Sequence, residues 1–217
     1  MMGKLLIVAA TRPEIEPLLK HFEVNVMNDT GLFMSVSNQN ICVLITGPGM
    51  VNTAYYMGHY AHNDFSHLIN VGICGAFNRE LKIGEVVNVA EDCLCEMGAE
   101  DGDDFIRYED LGLGGTAAYK NRSSVFVELK RVNGITVNTV HGSEKTIKET
   151  HSRFSPDVES MEGAAFFRGC ENLIGNCLQI RGISNYVERR DKSKWDIPLA
   201  IKNTNEFVIK LIQEILK

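Results

Sequence analysis

Short apolar runs that stop at a glycine or a polar residue constrain this chain more than any other feature. Lys4–Ala10, Ile41–Ile45, His67–Ile73, Glu85–Ala90 and Cys177–Ile183 are rich in Val, Ile and Leu and too short for typical helices, so each reads as a strand. Leu32–Val36 reads as another, joined to Ile41–Ile45 by the polar turn Ser37-Asn38-Gln39-Asn40. Between them, Glu14–Phe22 behind Pro13, Val51–His62, Met161–Cys170 and Ile197–Leu216 carry helical apolar spacing. Val125–Arg131 is read as one more helix and Ile135–Val140 as one more strand, while Glu91–Ala118, rich in Gly and Asp, reads as an extended excursion. Strands alternating with helices predict an α/β fold: a single domain over 1–217 with a mixed, mostly parallel sheet flanked by helices. Ligands of such sheets collect at the carboxyl ends of the strands. The residues to interrogate are therefore Thr11–Glu14, Gly47–Gly49, Gly72–Gly75, Val140–Ser143 and Ser184–Glu188.

Composition removes several classes of function. The net charge of -6 is spread along the chain, without the basic footprint of a nucleic-acid binder. No segment approaches the ~20 apolar residues of a membrane span, and Met1–Ala10 reads as a first strand rather than a secretion signal. The six cysteines form no C-x-x-C pair and sit mostly in apolar runs, as reduced thiols do in a cytosolic protein. Cys93-x-Cys95 has no ligand partner nearby in sequence, and His59 and His62 lack a third ligand, so no metal is expected.

Two segments carry the candidate chemistry. Glu162 sits in the small, apolar run Met161-Glu162-Gly163-Ala164-Ala165-Phe166-Phe167. A carboxylate buried there needs donors, and the two vicinal hydroxyls of a ribose would supply them; capping of backbone N–H groups is the alternative. Asn185 follows the run Cys177–Ile183, where it could serve a ligand or simply make a turn. Glu14 opens a helix, a place the helix dipole alone would favour. Gly47-Pro48-Gly49 lacks the third glycine of a dinucleotide fingerprint and reads as a turn. Gly72-Ile73-Cys74-Gly75 is either a tight turn or bare backbone for a ligand.

Taken in order, these pieces resemble the nucleoside phosphorylase and hydrolase superfamily. They are Glu14, Thr46-Gly47-Pro48-Gly49-Met50-Val51-Asn52, Asn70-Val71-Gly72-Ile73-Cys74-Gly75-Ala76, Leu81-Lys82-Ile83-Gly84-Glu85-Val86-Val87, Ser160-Met161-Glu162-Gly163-Ala164 and Arg181-Gly182-Ile183-Ser184-Asn185. The methylthioadenosine/adenosylhomocysteine nucleosidases carry Asp where this chain has Asn185. The continuation through Glu188-Arg189-Arg190 to Trp195-Asp196-Ile197-Pro198 is similar to the futalosine hydrolase family.

That resemblance implies hydrolysis of futalosine to hypoxanthine and dehypoxanthine futalosine on a menaquinone pathway. It implies that Glu14 activates the water and that Glu162 binds the ribose hydroxyls, with Met161 against the sugar. Asn185 would recognise a 6-oxopurine, with Ser184 beside it at the substrate. Cys74 and Gly75 would line the base and sugar pocket. Trp195 would cover the 5′ substituent, a carboxyphenyl ring whose carboxylate Arg189 or Arg190 could meet, solvated surface charge being the plainer account of both. No clear aromatic stands over the purine; His141 takes part of that place. No cofactor and no metal are implied. The expected partners are a small nucleoside and water, with no nucleic acid and no membrane, in a cytoplasmic homo-oligomer, a dimer or larger. A purine nucleoside phosphorylase using Arg12 for phosphate, an adenosine-type nucleosidase and a binding module without catalysis are the alternatives.

Overall fold

The computed structural model describes residues 3–125 and 127–217. Its strands are β1 (Lys4–Ala9), β2 (Gly31–Met34), β3 (Ile41–Ile45), β4 (Phe65–Ala76), β5 (Val86–Leu94), β6 (Gly98–Asp101), β7 (Asp104–Arg107), β8 (Ala118–Lys120), β9 (Lys130–Thr136), β10 (Val158–Ser160) and β11 (Asn176–Tyr186). The helices are α1 (Arg12–His21), α2 (Met50–Tyr60), α3 (Glu144–Phe154), α4 (Gly163–Cys170) and α5 (Ile197–Ile215). One large sheet runs β10-β9-β5-β11-β4-β1-β3-β2, with β8 added on β5. Because β10 also pairs with β4, the strands β4, β11, β5, β9 and β10 close a circuit. Apolar side chains fill both faces. Leu6, Val8, Leu44, Phe166 and Phe167 pack on one side, and Ile7, Ile15, Leu18, Ile180 and Val208 on the other.

The sheet is mixed rather than mostly parallel. Pairs β1–β3, β1–β4, β4–β11, β5–β9 and β9–β10 are parallel, whereas β2–β3, β4–β10, β5–β8 and β5–β11 are antiparallel. The reason lies in the connections. A parallel return needs a crossover of a dozen or more residues. Between β4 and β5 the chain has only residues 77–85, without a helix, so β5 enters antiparallel to β11.

Other expectations need correction. Val125–Arg131 is not helical: the described residues before β9 have no regular structure, and Phe126 lies outside them. Val125, Val127 and Leu129 instead alternate toward the core, a period of two. The strand expected over Ile135–Val140 is β9, which ends at Thr136; the chain then leaves the sheet and enters α3, which the apolar pattern did not disclose. The excursion 91–118 holds the β6–β7 hairpin and a short 3₁₀ turn, Tyr108–Leu111. Helix α4 begins at Gly163, two residues later than the apolar run suggested, which puts Glu162 at its N-cap.

Candidate active site

A cavity of about 540 Å³ opens where the carboxyl ends of β1, β4 and β11 meet the starts of α1 and α4. Its wall includes Glu14, Cys74, Gly75, Met161, Glu162, Ser184, Asn185 and Trp195, so every site residue expected from the sequence lies on one hollow. Glu159 and His141, which sequence reasoning did not place or placed only loosely, line it too.

Glu14 has two tasks. Thr11, at the N-cap of α1, donates its backbone N–H and its hydroxyl to Glu14 Oε2 at 3.0 and 2.8 Å. That arrangement satisfies the helix start. The other oxygen, Oε1, turns inward and lies 3.4 Å from the Ile73 backbone nitrogen. Burial raises the Glu14 pKa, nearby Glu162 raises it further, and Arg181 pulls it back only in part. A carboxylate held above its usual range can accept a proton from water near neutral pH.

Glu162 caps no N–H of its own helix. Its Oε1 accepts from Gly49 N at 3.0 Å, at the Gly47-Pro48-Gly49 turn, and its Oε2 stands 3.8 Å from Arg181 Nη2. Gly49 has φ 96°, a conformation that suits glycine and aims this N–H at the carboxylate. The turn read from the sequence thus also belongs to the site.

Arg181 is the largest fully buried side chain, only 1% exposed. Its Nε donates to Gln179 Oε1 at 3.1 Å and its Nη2 to Asn70 Oδ1 at 2.5 Å. Gln179 in turn donates to Asp92 Oδ2 at 3.0 Å, and Thr136 Oγ1 donates to Asp92 Oδ1 at 2.8 Å. Burial lifts the Asp92 carboxyl to about 6, and both of its oxygens accept hydrogen bonds, as an ionised carboxylate's do. Asn70, Gln179 and Arg181 sit inside runs that look apolar, and Asp92 falls in the segment read as an excursion; the hint was Gln179-x-Arg181 within a strand rich in Leu and Ile.

Asn185 lies beyond a bulge. The pairing of β11 with β4 slips between Ile183 and Asn185, leaving Ser184 unpaired. Bulges re-aim side chains. Ser184 Oγ donates to Asn185 Oδ1 at 2.8 Å, and Asn185 Nδ2 donates to Tyr186 O at 2.9 Å. One N–H and one lone pair of the amide therefore remain for a ligand. Burial pushes the Cys74 thiol up to about 12, so it stays protonated and serves as a small apolar wall.

His141 is fixed at both ring nitrogens. Nδ1 meets Glu159 Oε2 at 2.6 Å, Nε2 meets Thr150 Oγ1 at 2.9 Å, and the backbone N–H donates to Glu159 Oε1 at 3.0 Å. The spacing of Glu159 and Glu162 in one short segment was the available signal for Glu159. At the cavity mouth Arg190 lies 5.0 Å over the Trp195 ring, while Glu188 is taken by Arg79 at 2.9 Å and Lys194 at 3.3 Å. Arg12 pairs with Glu16 at 2.9 Å and does not line the cavity. His59 stacks on Tyr55 and His62 faces Asp64 at 3.8 Å, away from the site. Among the described residues no three His, Cys, Asp or Glu side chains gather closely enough to hold a metal ion.

The chain is similar in sequence and in fold to known proteins. The futalosine hydrolase of Thermus thermophilus is 29% identical over 182 residues, covering 79% of this chain and 80% of that protein. The futalosine hydrolase of Acidothermus cellulolyticus is 31% identical over 153 residues, covering 65% of this chain and 62% of its own. Among solved structures, a Helicobacter pylori MTAN mutant with 5'-methylthioadenosine in the active site superposes with TM-score 0.83 at 18% identity, covering 99% of this chain and 100% of that one. The native futalosine hydrolase of Helicobacter pylori superposes with TM-score 0.82 at 17% identity over 99% of each chain. At those identities the structures speak for the fold. The phosphorylase superfamily model matches residues 4–217, essentially the whole sheet and its helices, and the chain belongs to the phosphorylase superfamily.

Proposed function

We propose that this protein hydrolyses the N-glycosidic bond of futalosine, releasing hypoxanthine and dehypoxanthine futalosine as a step of menaquinone biosynthesis. The observation that carries the reading is the meeting of Glu14, Glu162 and Asn185 on one cavity wall. The names of the curated relatives support the same substrate. The bond breaks through a sugar cation, so the site must hold the pentose, supply water on one face and accept the departing base on the other. Glu162 faces the ribose hydroxyls as acceptor, and Met161 packs on the sugar. Glu14 takes the proton of the attacking water through the oxygen not engaged by Thr11. The free N–H and lone pair of Asn185 match O6 and N7–H of a 6-oxopurine, the N7 proton coming from solvent or a neighbouring group because an amide cannot deliver it, with Ser184 fixing the amide. Cys74 and Gly75 floor the pocket. Trp195 stacks on the carboxyphenyl tail and Arg190 meets its carboxylate.

The same reading has no use for a cofactor. A homo-oligomer, a dimer or larger, is supported by the exposed apolar side chains Val51 and Tyr55, one turn apart on α2. A cytoplasmic location is supported by six unpaired thiols, which suit a reducing compartment. No helix among the described residues is long and apolar enough to cross a membrane.

The test is release of free base, followed by chromatography, from futalosine, inosine and adenosine derivatives, with and without phosphate. Hypoxanthine released from futalosine without phosphate is the expected result. A requirement for phosphate with a sugar phosphate as product would establish a phosphorylase instead, and binding without release a non-catalytic module. Arg12, the cation that a phosphorylase reading would have used, is engaged with Glu16.

A further inference from the structure

Asp92, on β5, is 1% exposed, does not line the cavity and has no part in the chemistry above. An ionised carboxylate can only accept hydrogen bonds, so it dictates the orientation of whatever donates to it. The Thr136 hydroxyl points its hydrogen at Asp92 Oδ1, 2.8 Å away, which leaves its lone pair for the Ala164 N–H at 2.7 Å, in the first turn of α4. The Gln179 NH2 group points at Asp92 Oδ2, 3.0 Å away, which turns the amide carbonyl toward the Arg181 Nε–H at 3.1 Å.

Both chains of hydrogen bonds end beside the two carboxylates of the site. Helix α4 starts directly after Glu162, and the Arg181 guanidinium stands 3.8 Å from Glu162. A Cβ built on Gly72 would lie 2.1 Å from Arg181 Nη1 and 3.0 Å from Glu14 Oε1, so Arg181 and Glu14 crowd the same bare backbone. Gly163 supplies an independent sign. A Cβ there would lie 2.0 Å from Asp92 Oδ2 and 2.2 Å from Gln179 Oε1, so the backbone beside Glu162 rests on the Asp92–Gln179 contact itself.

We propose that Asp92 is a positioning residue for the hydrolysis, acting through Gln179 and Arg181 and through Thr136 and α4 to hold Glu14 and Glu162 toward one substrate. The proposal rests on the hydrolase reading. Without the carboxylate, the Gln179 amide is free to turn its NH2 toward Arg181, donor against donor, and the buried guanidinium loses a countercharge one amide away.

The experiment uses the full chain as wild type, Asp92→Asn, Gln179→Leu and the double variant. Steady-state base release from futalosine is measured beside the exchange rate of the Arg181 Nε proton by ¹H–¹⁵N NMR. The expected result for Asp92→Asn is a kcat about 10–100-fold lower, the range typical when a partner that orients an active group is removed, with KM within about twofold. Gln179→Leu, which breaks only the Arg181 path, should cost no more than Asp92→Asn, and the double variant should be no worse than Asp92→Asn alone, because residues acting through one chain are not additive. The Arg181 Nε proton should exchange slowly in wild type and rapidly in each variant. Wild-type kcat and an unchanged Arg181 signal in a folded Asp92→Asn would overturn the proposal. So would effects of the two single changes that simply multiply, or failure of both single variants to fold, which would assign Asp92 to the fold alone. If the wild type releases no base, the hydrolase reading fails by itself; the Arg181 exchange still reports whether Asp92 orients the guanidinium.

Discussion

Glu159 and Asn185 pair with the same residue, Gly75, from opposite sides, one on an antiparallel strand and the other on a parallel one. The cavity floor at this point is bare backbone between a carboxylate bound to His141 and an amide fixed by Ser184. A Cβ on Gly75 would lie 3.2 Å from Asn185 Nδ2 and 3.0 Å from Val187, so the floor admits a flat ligand only because no side chain stands there. In the hydrolase reading proposed above, the amide is the group that reads the base edge.

Asn185→Asp should therefore move preference from 6-oxo to 6-amino substrates. The aspartate offers no NH2 to O6, and in its protonated form it can donate to N7 while accepting from a 6-amino group. A site built for one hydrogen-bonding edge rejects the unmatched one strongly. We expect the ratio of kcat/KM for inosine-type over adenosine-type futalosine to fall by about 10-fold or more, a difference of about 1.4 kcal/mol. Paired progress curves on the two substrates measure it, and an unchanged ratio removes Asn185 from base selection.

Glu14 gives a pH prediction. Its pKa is raised by burial and by Glu162, so the carboxylate proposed to activate water forms only above the ordinary glutamate range. Activity should fall as pH drops through that raised value, and the acid limb of kcat/KM should lie above about 4.3. Glu14→Gln should lower kcat by about 10²–10⁴-fold, the usual contribution of a general base. Stability runs the opposite way. The fold favours the neutral acid, so the stability this group contributes is present at low pH and is lost as pH rises through the folded pKa. At pH 7 the glutamine variant, free of that penalty, should melt no lower than wild type. A variant that loses both activity and several degrees of Tm would mean that the Thr11 cap, not catalysis, is its main role.

How much of this was legible in the sequence follows from what side chains show along one strand. Glu14, Glu162 and Asn185 stand next to strand ends or in apolar runs, where a polar residue is conspicuous, and the structure sets them on one cavity. Strands β1, β2, β3, β4, β5, β9 and β11 and four of the five helices were readable from period and punctuation, whereas the short β6, β7, β8 and β10 were not. Helix α3 was not, because its segment Glu144–Phe154 is mostly polar and buries little beyond Thr150. That the sheet is mixed was readable, but the share of antiparallel pairs was not, because it depends on connection length rather than on any strand's own residues. The Asp92–Gln179–Arg181 chain joins residues up to 87 and 89 positions apart, which no local pattern links.

Trp195 should govern the 5′ substituent. It lines the mouth of the cavity with Arg190 stacked on it, and among the described residues Arg190 has no carboxylate within ion-pair distance. Trp195→Ala should cost futalosine about 10-fold in kcat/KM, in line with the 0.5–1.5 kcal/mol of an aromatic pair, while inosine, which lacks the tail, should change by less than about twofold. Arg190→Met should weaken futalosine alone and make the loss insensitive to salt. Equal losses on both nucleosides would place these residues in general folding of the 190–195 segment rather than in tail recognition.

Gly72 tests the crowded backbone between Arg181 and Glu14 without touching either. Its backbone is not in the left-handed region, so alanine meets no conformational barrier there, only the 2.1 Å approach to Arg181 Nη1. That end of the guanidinium is not free to move aside, because Nε and Nη2 are held by Gln179 and Asn70. Gly72→Ala should thus displace the guanidinium, lower stability by about 1–3 kcal/mol as overpacked cores do, and reduce kcat on futalosine by at least about 10-fold with the fold intact by circular dichroism. Arg181→Lys in the Gly72→Ala background removes the bulk of the fork while keeping the charge, and it should restore part of the lost Tm. Full activity in Gly72→Ala would mean that the guanidinium has room to relax, and that its placement between the two carboxylates is not what the chemistry depends on.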